Sequence, residues 1–265
     1  MRAIVFKKLI PITDKLGDDL APPFLQILRC HALLWEFGIQ HGDISDTNLM
    51  VDPDNDTGIL NDFDLATVAD KDATDPPHGG DRTGTMVFMS VELLKGDGQQ
   101  GRIPRLYRHD LESFCWVLFW ICYCYDNGEF RPRYPCTEWI NVTPAICRAM
   151  KNTIPQDIDT ATATESYIDY QPSLAELVYY WVEFHNELGD MKANKSANTR
   201  GVDTGKPRRI DMSHVGVVKR VFEEPSDNQV LCTILDMLPQ SDEVVMPWPQ
   251  ARGYVLTGVS QIRII

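Results

Sequence analysis

The strongest constraint on the fold is one apolar stretch, DLESFCWVLFWICYCY, at residues 110–125. It is apolar on most sides of a helix, a pattern typical of a helix buried inside a core. The stretch is also shorter than a membrane span requires. We therefore predict a central helix around which the other elements pack.

Shorter patterns predict a mainly helical (α+β) domain with one small β-hairpin. Apolar residues recur at helical spacing in residues 22–38, and the two prolines that open this segment suit a first turn. Two short apolar runs flank the turn-rich DPDNDTG, so residues 48–63 are predicted to form a hairpin. We also expect a short helix at SVELL (90–94) and a longer helix that begins at residues 143 and 144.

Composition narrows the class of protein and its surroundings. A net charge of −13 argues against a general nucleic-acid binder, which would show a basic face. No apolar run approaches the length of a membrane span, so we expect no membrane partner. Three of the seven cysteines lie inside the central apolar run, which favours free thiols in a reducing, intracellular compartment, cytoplasmic or nuclear.

Three polar residues around the predicted hairpin form the candidate site. Asp43 precedes the hairpin, Asn48 opens it and Asp62 closes it. Because a hairpin folds the chain back on itself, we expect one acid and two oxygen ligands to face a common point. Mg²⁺ prefers hard oxygen ligands, and phosphoryl transfer needs a carboxylate that orients the attacking hydroxyl. The pattern therefore indicates phosphoryl transfer.

Four motifs then resemble protein kinases in order and spacing. HGDISDTN (41–48) resembles the catalytic loop and LNDFDLA (60–66) the metal-binding segment. RTGTMVFMSVELL (82–94) is similar to the end of an activation segment, and YRHDLESFCWVLFWIC (107–122) to the central helix of the C-terminal lobe. Their wording is similar to the fungal-type protein kinase family. The resemblance implies a protein kinase-like C-terminal lobe with the hairpin beside its catalytic loop.

The resemblance also implies roles for single residues. Asp43 would be the catalytic base, Asn48 and Asp62 would hold Mg²⁺, and Met50 would form the floor of the adenine pocket. Glu92 would occupy the glutamate position of the A-P-E motif, Asp110 would brace the catalytic loop, and His41 would stack on Phe63. ATP and Mg²⁺ are the implied cofactors, and a protein substrate and a nucleotide the implied partners. The hinge that touches adenine would be formed by Phe6, Lys7, Lys8 and Leu9.

Three residues depart from the usual kinase pattern. Gly42 replaces an arginine that reads phosphate on the activation loop, so we predict no activation by phosphorylation of Thr83 or Thr85. Ser45 replaces a lysine that steadies the transferring phosphate. Asp64 replaces the glycine of the metal-binding segment and adds a carboxylate there.

The expected domain organisation has three parts. Residues 1–190 would form the kinase-like domain, 191–212 a polar linker or insert, and 213–265 C-terminal helices and a tail. No glycine-rich loop or strand lysine precedes the hinge residues, so we expect the N-terminal lobe to be largely absent from this sequence. Losing those groups would cost positioning and charge stabilisation, so weak activity or none is expected.

Three functions remain open at this level. The first is ATP-dependent transfer to Ser or Thr hydroxyls of proteins. The second is a non-catalytic pseudokinase that acts as a scaffold, and whether the chain is an enzyme depends on this choice. The third is a small-molecule kinase resembling aminoglycoside and choline kinases, which the segments at 84–92 and 110–113 make the least favoured.

Overall fold

The computed structural model describes most of the chain up to residue 186. The ranges are 7–68, 84–103, 105–131, 135–157 and 161–172, followed by 174, 175, 177–179, 181, 182, 185 and 186. Within these ranges the α-helices are α1 (Ala21–Glu36), α2 (Gly96–Gln99), α3 (Tyr107–Cys124) and α4 (Pro144–Asp157). The strands are β1 (Ile10–Pro11), β2 (Ile39–Gln40), β3 (Leu49–Asp52), β4 (Thr57–Leu60), β5 (Thr67–Val68), β6 (Tyr125–Asp126) and β7 (Glu129–Phe130).

Helix α3 is the centre of the core, as its apolar sequence predicts. Every residue from Arg108 to Cys124 is buried, so the helix has no face in solvent. Its first two turns differ from the rest because they bury charged and polar side chains. Those side chains reach toward the candidate site, while the later turns consist mainly of apolar and aromatic side chains that fill the core. The first turns of the central helix therefore make the polar contacts, and the later turns supply most of the core.

The predicted hairpin is present as β3 and β4. Leu49 pairs with Leu60 and Asp52 with Thr57, so the two strands are antiparallel and in register. Strand β1 adds a third strand on the other edge of β3. Helix α1 packs closely against β4 at Gly58, where an added Cβ would lie 2.1 Å from the carbonyl oxygen of Pro23. Only glycine permits this approach, which brings the hairpin down onto the core.

The other predicted elements have mixed outcomes. Helices α1 and α4 match the predictions for residues 22–38 and for the segment that begins at residue 144. The helix predicted at SVELL is wrong, because residues 91–94 form turns and the helical residues begin at Gly96. The reason is non-local: Val91 N donates to Glu112 Oε1, and Glu92 accepts hydrogen bonds from α3. These bonds to α3 replace the ones that a local helix would make.

The resulting architecture mixes helices with small sheets, which is compatible with the predicted α+β class. The described residues from 171 to 186 are helical and add Leu174, Leu177, Val178 and Trp181 to the core. The predicted segments 191–212 and 213–265 lie outside the described residues. Among the described residues, no helix is both long and apolar enough to cross a membrane.

Candidate active site

The residues from 41 to 48 connect β2 to β3 and carry the candidate catalytic loop. His41 begins it, fully buried, with Nε2 2.8 Å from the carbonyl oxygen of Asn61. The backbone N–H of Asp43 donates to Nδ1 of the same ring, so the ring proton sits on Nε2. Burial lowers the pKa of His41, and the bond to Asn61 offsets part of that shift. His41 is therefore a neutral structural link between the loop and the end of the hairpin.

Phe63 completes this link on the other side. Its ring meets the ring of His41 edge-to-face, with the centroids 4.7 Å apart. The predicted contact between these two residues is thus present, in a T-shaped arrangement that aromatic rings favour. The contact joins the candidate catalytic loop to the segment that carries Asp62.

Asp43 is held by hydrogen bonds on both sides of its carboxylate. Thr85 donates to Oδ1 twice, from its backbone N–H at 2.7 Å and from its hydroxyl at 2.9 Å. Asn48 Nδ2 donates to the carbonyl oxygen of Asp43 at 2.9 Å and more weakly to Oδ2 at 3.3 Å. The carboxylate is therefore fixed in direction, while Oδ2 keeps capacity for a further hydrogen bond.

Gly42 is required by the geometry of the loop. Its φ is +92°, and an added Cβ would lie 2.5 Å from the carbonyl oxygen of Leu65. A side chain at this position, including the arginine of the usual kinase pattern, would collide with that backbone. The guanidinium of Arg105 lies next to this position instead, and its Nη1 donates to the carbonyl oxygen of Gly42 at 2.8 Å.

Asp110 stabilises the loop through an intermediary. Its Oδ2 lies 2.9 Å from His31 Nε2, and its Oδ1 accepts a hydrogen bond from Arg105 Nε at 2.8 Å. Burial alone would raise the pKa of Asp110, but Arg105 and His31 outweigh it and hold that pKa well below its usual range. The expected brace is thus an ion pair that positions Arg105, which in turn contacts the loop at Gly42.

A second buried network holds the segment that carries Thr85. Glu92 Oε2 pairs with Arg108 Nη2 at 2.6 Å and with His109 Nε2 at 2.9 Å. The backbone N–H of Leu106 donates to Nδ1 of His109, so the histidine is neutral and donates to Glu92 from Nε2. Burial, the largest cause, lowers the pKa of His109 to about 4.

Helix α4 contributes one further contact to the same segment. Lys151 is completely buried, and its Nζ donates to the carbonyl oxygen of Met89 at 2.6 Å. The ammonium lies 4.6 Å from the ring centroid of Trp116, within the range of a cation–π contact. Burial lowers the pKa of Lys151 to about 8. The segment from 84 to 95 is therefore held from both α3 and α4.

The two predicted metal ligands occupy different surroundings. Asn48 is buried, and because its Nδ2 is used by Asp43, its Oδ1 is left as an acceptor. Asp62 is exposed, has a φ of +61°, and uses Oδ1 to accept the backbone N–H of Asp64. The backbone N–H of Asn61 donates to the carbonyl oxygen of Asn48, which ties the two ends of the hairpin together.

These oxygens have the chemistry that Mg²⁺ prefers. One amide oxygen and one carboxylate would leave most of the coordination shell to phosphate and water, as is usual for magnesium sites. Within the described residues there is no group of three or more His, Cys, Asp or Glu side chains that could hold a metal ion without such help. The residues present fit a Mg²⁺ ion that arrives with a nucleotide.

The predicted adenine-binding residues remain predictions. Phe6 lies outside the described residues. Lys7 is exposed and pairs with Asp52 at the end of β3 and with Asp54 in the hairpin turn, contacts that raise its pKa. Lys8 is exposed and Leu9 half-buried, and Met50 is a half-buried residue of β3. Nothing in these contacts tests a role in binding adenine.

Several residues of the site were not identified from the sequence. The sequence marks Thr85 only as a phosphorylation site, yet its hydroxyl donates to Asp43. No sequence motif marks His31 or Arg105, although they position the loop. The basic cluster in RLYRHD was the only local signal for Arg105. His31 gave none, because it lies far along the chain from Asp110.

Comparison with known proteins agrees with the resemblance seen in the motifs. The model of the family described as fungal protein kinase matches residues 20–122. The match spans α1, the hairpin and nearly all of α3, and it includes Asp43, Asn48, Asp62, Glu92 and Asp110. It confirms the predicted resemblance to the fungal-type kinase family over this part of the chain. It also indicates a kinase-like function in general terms. No curated protein matches the chain.

Proposed function

We propose that the chain is a protein kinase-type phosphotransferase that uses ATP with Mg²⁺ and transfers phosphate to Ser or Thr hydroxyls of proteins. The observation that carries the proposal is the fixed carboxylate of Asp43, held by Asn48 and Thr85 inside the segment that resembles fungal kinases. A carboxylate with one oxygen oriented by hydrogen bonds and the other available suits a group that receives a proton.

In this proposal Asp43 orients the acceptor hydroxyl and takes its proton through Oδ2. Thr85 keeps the carboxylate from rotating, and it does so from a segment that α3 and α4 hold in place. Asn48 and Asp62 would hold Mg²⁺ through their side-chain oxygens, and the ion would neutralise phosphate charge. Met50 would lie under the adenine ring, and Phe6, Lys7, Lys8 and Leu9 beside it.

The role of Thr85 bears on regulation. Its hydroxyl donates to Asp43, so a phosphate there would place negative charge against the catalytic carboxylate. This contact supports the prediction that phosphorylation of Thr85 does not activate the protein. Thr83 lies outside the described residues.

The proposal is tested with the purified full chain, Mg²⁺-ATP and a mixed protein substrate. In keeping with the weak activity expected from the sequence, we expect a small thermal shift with Mg²⁺-ATP and slow transfer of the γ-phosphate to serine or threonine, identified by phosphoamino-acid analysis. Asp43→Asn keeps an acceptor for Thr85, so the fold should persist while transfer falls by about 10²–10⁴-fold. The matched control is Asp19→Asn, an exposed acid away from the candidate site, which should leave transfer unchanged.

Other results would point to the other functions. Unchanged transfer by Asp43→Asn would remove Asp43 from the reaction. Neither thermal shift nor transfer at millimolar Mg²⁺-ATP would favour the non-catalytic scaffold. Transfer to aminoglycosides or choline but to no protein would favour a small-molecule kinase.

A further inference from the structure

A pocket beside the candidate base has no role in the function proposed above. It has a volume of about 270 Å³ and lies between the catalytic loop, the segment after Thr85 and the β6–β7 hairpin. Its lining residues include Asp46, Thr85, Phe88, Trp120, Tyr125 and Phe130. Thr85 is shared, since it lines the pocket and also donates to Asp43. Only Thr85 would therefore separate a group in this pocket from the candidate base, Asp43.

The size of the pocket limits what it can hold. Pockets for drug-sized ligands usually span about 300–1,000 Å³. A volume of about 270 Å³ suits one amino-acid side chain better than a nucleotide. Because the pocket lies next to Asp43, the side chain would belong to the polypeptide that presents its hydroxyl there.

Aromatic rings form most of the pocket wall. The rings of Trp120 and Phe130 are nearly parallel, with centroids 5.6 Å apart, and Phe88 meets Trp120 edge-to-face at 5.7 Å. Tyr125 also contacts Phe130, at 5.3 Å. Phe130 keeps 47% of its surface exposed, although it is a large apolar residue. Flat aromatic faces that stay accessible favour an apolar or a planar cationic partner.

The carboxylate of Asp46 favours a cationic partner over an apolar one. Asp46 Oδ2 accepts a hydrogen bond from the hydroxyl of Tyr125 at 2.9 Å. In the part of the chain that the structure describes, no lysine or arginine forms an ion pair with Asp46, and the nearby Arg131 pairs with Asp126 and Glu129. Burial raises the pKa of Asp46, and the bond from Tyr125 offsets only part of that shift.

These features together select a cation. An apolar side chain would shield Asp46 further from water and give it no positive charge to pair with, which is costly for a carboxylate. An acidic side chain would be repelled. A guanidinium can lie flat against aromatic rings and donate to a carboxylate at the same time, which an ammonium does less well. The net charge of −13 also attracts a basic peptide.

We propose that this pocket binds an arginine side chain of the protein substrate, with the guanidinium lying against the accessible aromatic wall at Phe130 and paired with Asp46. The pocket makes the protein selective for hydroxyl groups that have an arginine nearby in the chain. This inference rests on the proposed function, because it takes the polypeptide at Asp43 to be the substrate.

The test measures peptide binding without ATP, by fluorescence anisotropy with the full chain. The probes are pools of labelled peptides, each with a central serine. In each pool one position, from four residues before the serine to four after it, holds arginine, citrulline or norleucine, and the other positions vary. Citrulline has the shape of arginine without its charge. At one offset we expect the arginine pool to bind about tenfold more tightly than the citrulline pool.

Two variants locate the preference in the pocket. Asp46→Asn keeps an acceptor for Tyr125 and should remove the preference for arginine over citrulline. Asp54→Asn removes the same charge at an exposed site outside the pocket and should preserve the preference. Phe130→Leu, on the open rim, should weaken arginine binding several-fold and remains informative if Asp46→Asn does not fold.

Several results would refute the arginine pocket. Equal binding of arginine and citrulline at every offset, tightest binding of norleucine, or no measurable binding of any pool would each overturn the inference. So would an equal loss in Asp46→Asn and Asp54→Asn, because that indicates general charge attraction. Binding is read without turnover, so a failure of phosphate transfer and a failure of the pocket are separate results. Transfer that shows no preference for arginine would leave the proposed function standing and the pocket inference refuted.

Discussion

The two sides of the candidate site are built very differently. On one side, Asp43 lies in a loop that is held by the buried first turns of α3 and by Thr85. On the other side, Asp62 is exposed at the end of a hairpin and bonds mainly to its own neighbour, Asp64. Buried contacts therefore fix the direction of the Asp43 carboxylate, whereas few contacts fix Asp62. The side that carries the candidate metal ligand Asp62 is open to solvent.

The largest effect expected on the held side comes from Asp110→Ala. The change leaves His31 and Arg105 without their shared carboxylate inside the core, and breaking a buried pair costs about 3–5 kcal/mol. The free energy of unfolding, measured with urea, should fall accordingly. Asp19→Ala, at an exposed position, serves as the control and should change it little. A small effect of Asp110→Ala would mean that the loop is held by other contacts.

The second prediction concerns acid and the network at Glu92. The pKa of His109 is about 4 in the folded protein, below its ordinary value of 6.5, so the unfolded chain binds more protons between these pH values. The free energy of unfolding should therefore be highest above pH 6.5 and fall as the pH drops toward 4, by up to about 3 kcal/mol from this group. His109→Gln should make the unfolding free energy less dependent on pH between 6.5 and 5. An unchanged pH slope in that variant would contradict the assignment.

Gly42→Ala is the third prediction, and it tests the loop directly. The φ of +92° and the carbonyl of Leu65 oppose any Cβ, so the variant should lose about 2 kcal/mol of stability. The matched control is Gly96→Ala, where an added Cβ meets nothing within 4 Å. Urea unfolding of both variants gives the comparison. Equal effects would show that Gly42 has no special role.

The smallest effect is expected on the open side, from Asp62→Asn. Asparagine tolerates a positive φ and the position is exposed, so the unfolding free energy should change by less than about 0.5 kcal/mol. The thermal shift with Mg²⁺-ATP should nevertheless be lost if Asp62 binds the ion. A large loss of stability would show that both sides of the site are structural, and the contrast between them would disappear.

Local patterns were reliable where a local rule applies. Helix α1, the hairpin and helices α3 and α4 all follow from helical spacing or turn residues, which act within a few positions of the chain. The helix predicted at SVELL is wrong because Glu92 accepts hydrogen bonds from α3. A local sequence pattern carries no information about a bond to a distant helix. The candidate triad of Asp43, Asn48 and Asp62 was identified from the motifs, and the contacts of Asn48 with Asp43 and Asn61 place these elements together.

Sequence alone determined the buried central helix, the hairpin and the identity of the polar residues around it, since composition and spacing encode which faces avoid water. Only the tertiary structure decided what holds them. Thr85 reaches Asp43, His31 reaches Asp110 and Lys151 reaches Met89 across long separations in the chain. The pocket beside Asp46 likewise joins three separate segments. Hydrogen bonds and ion pairs of this kind depend on where packed elements meet, and that is set by the filling of the whole core.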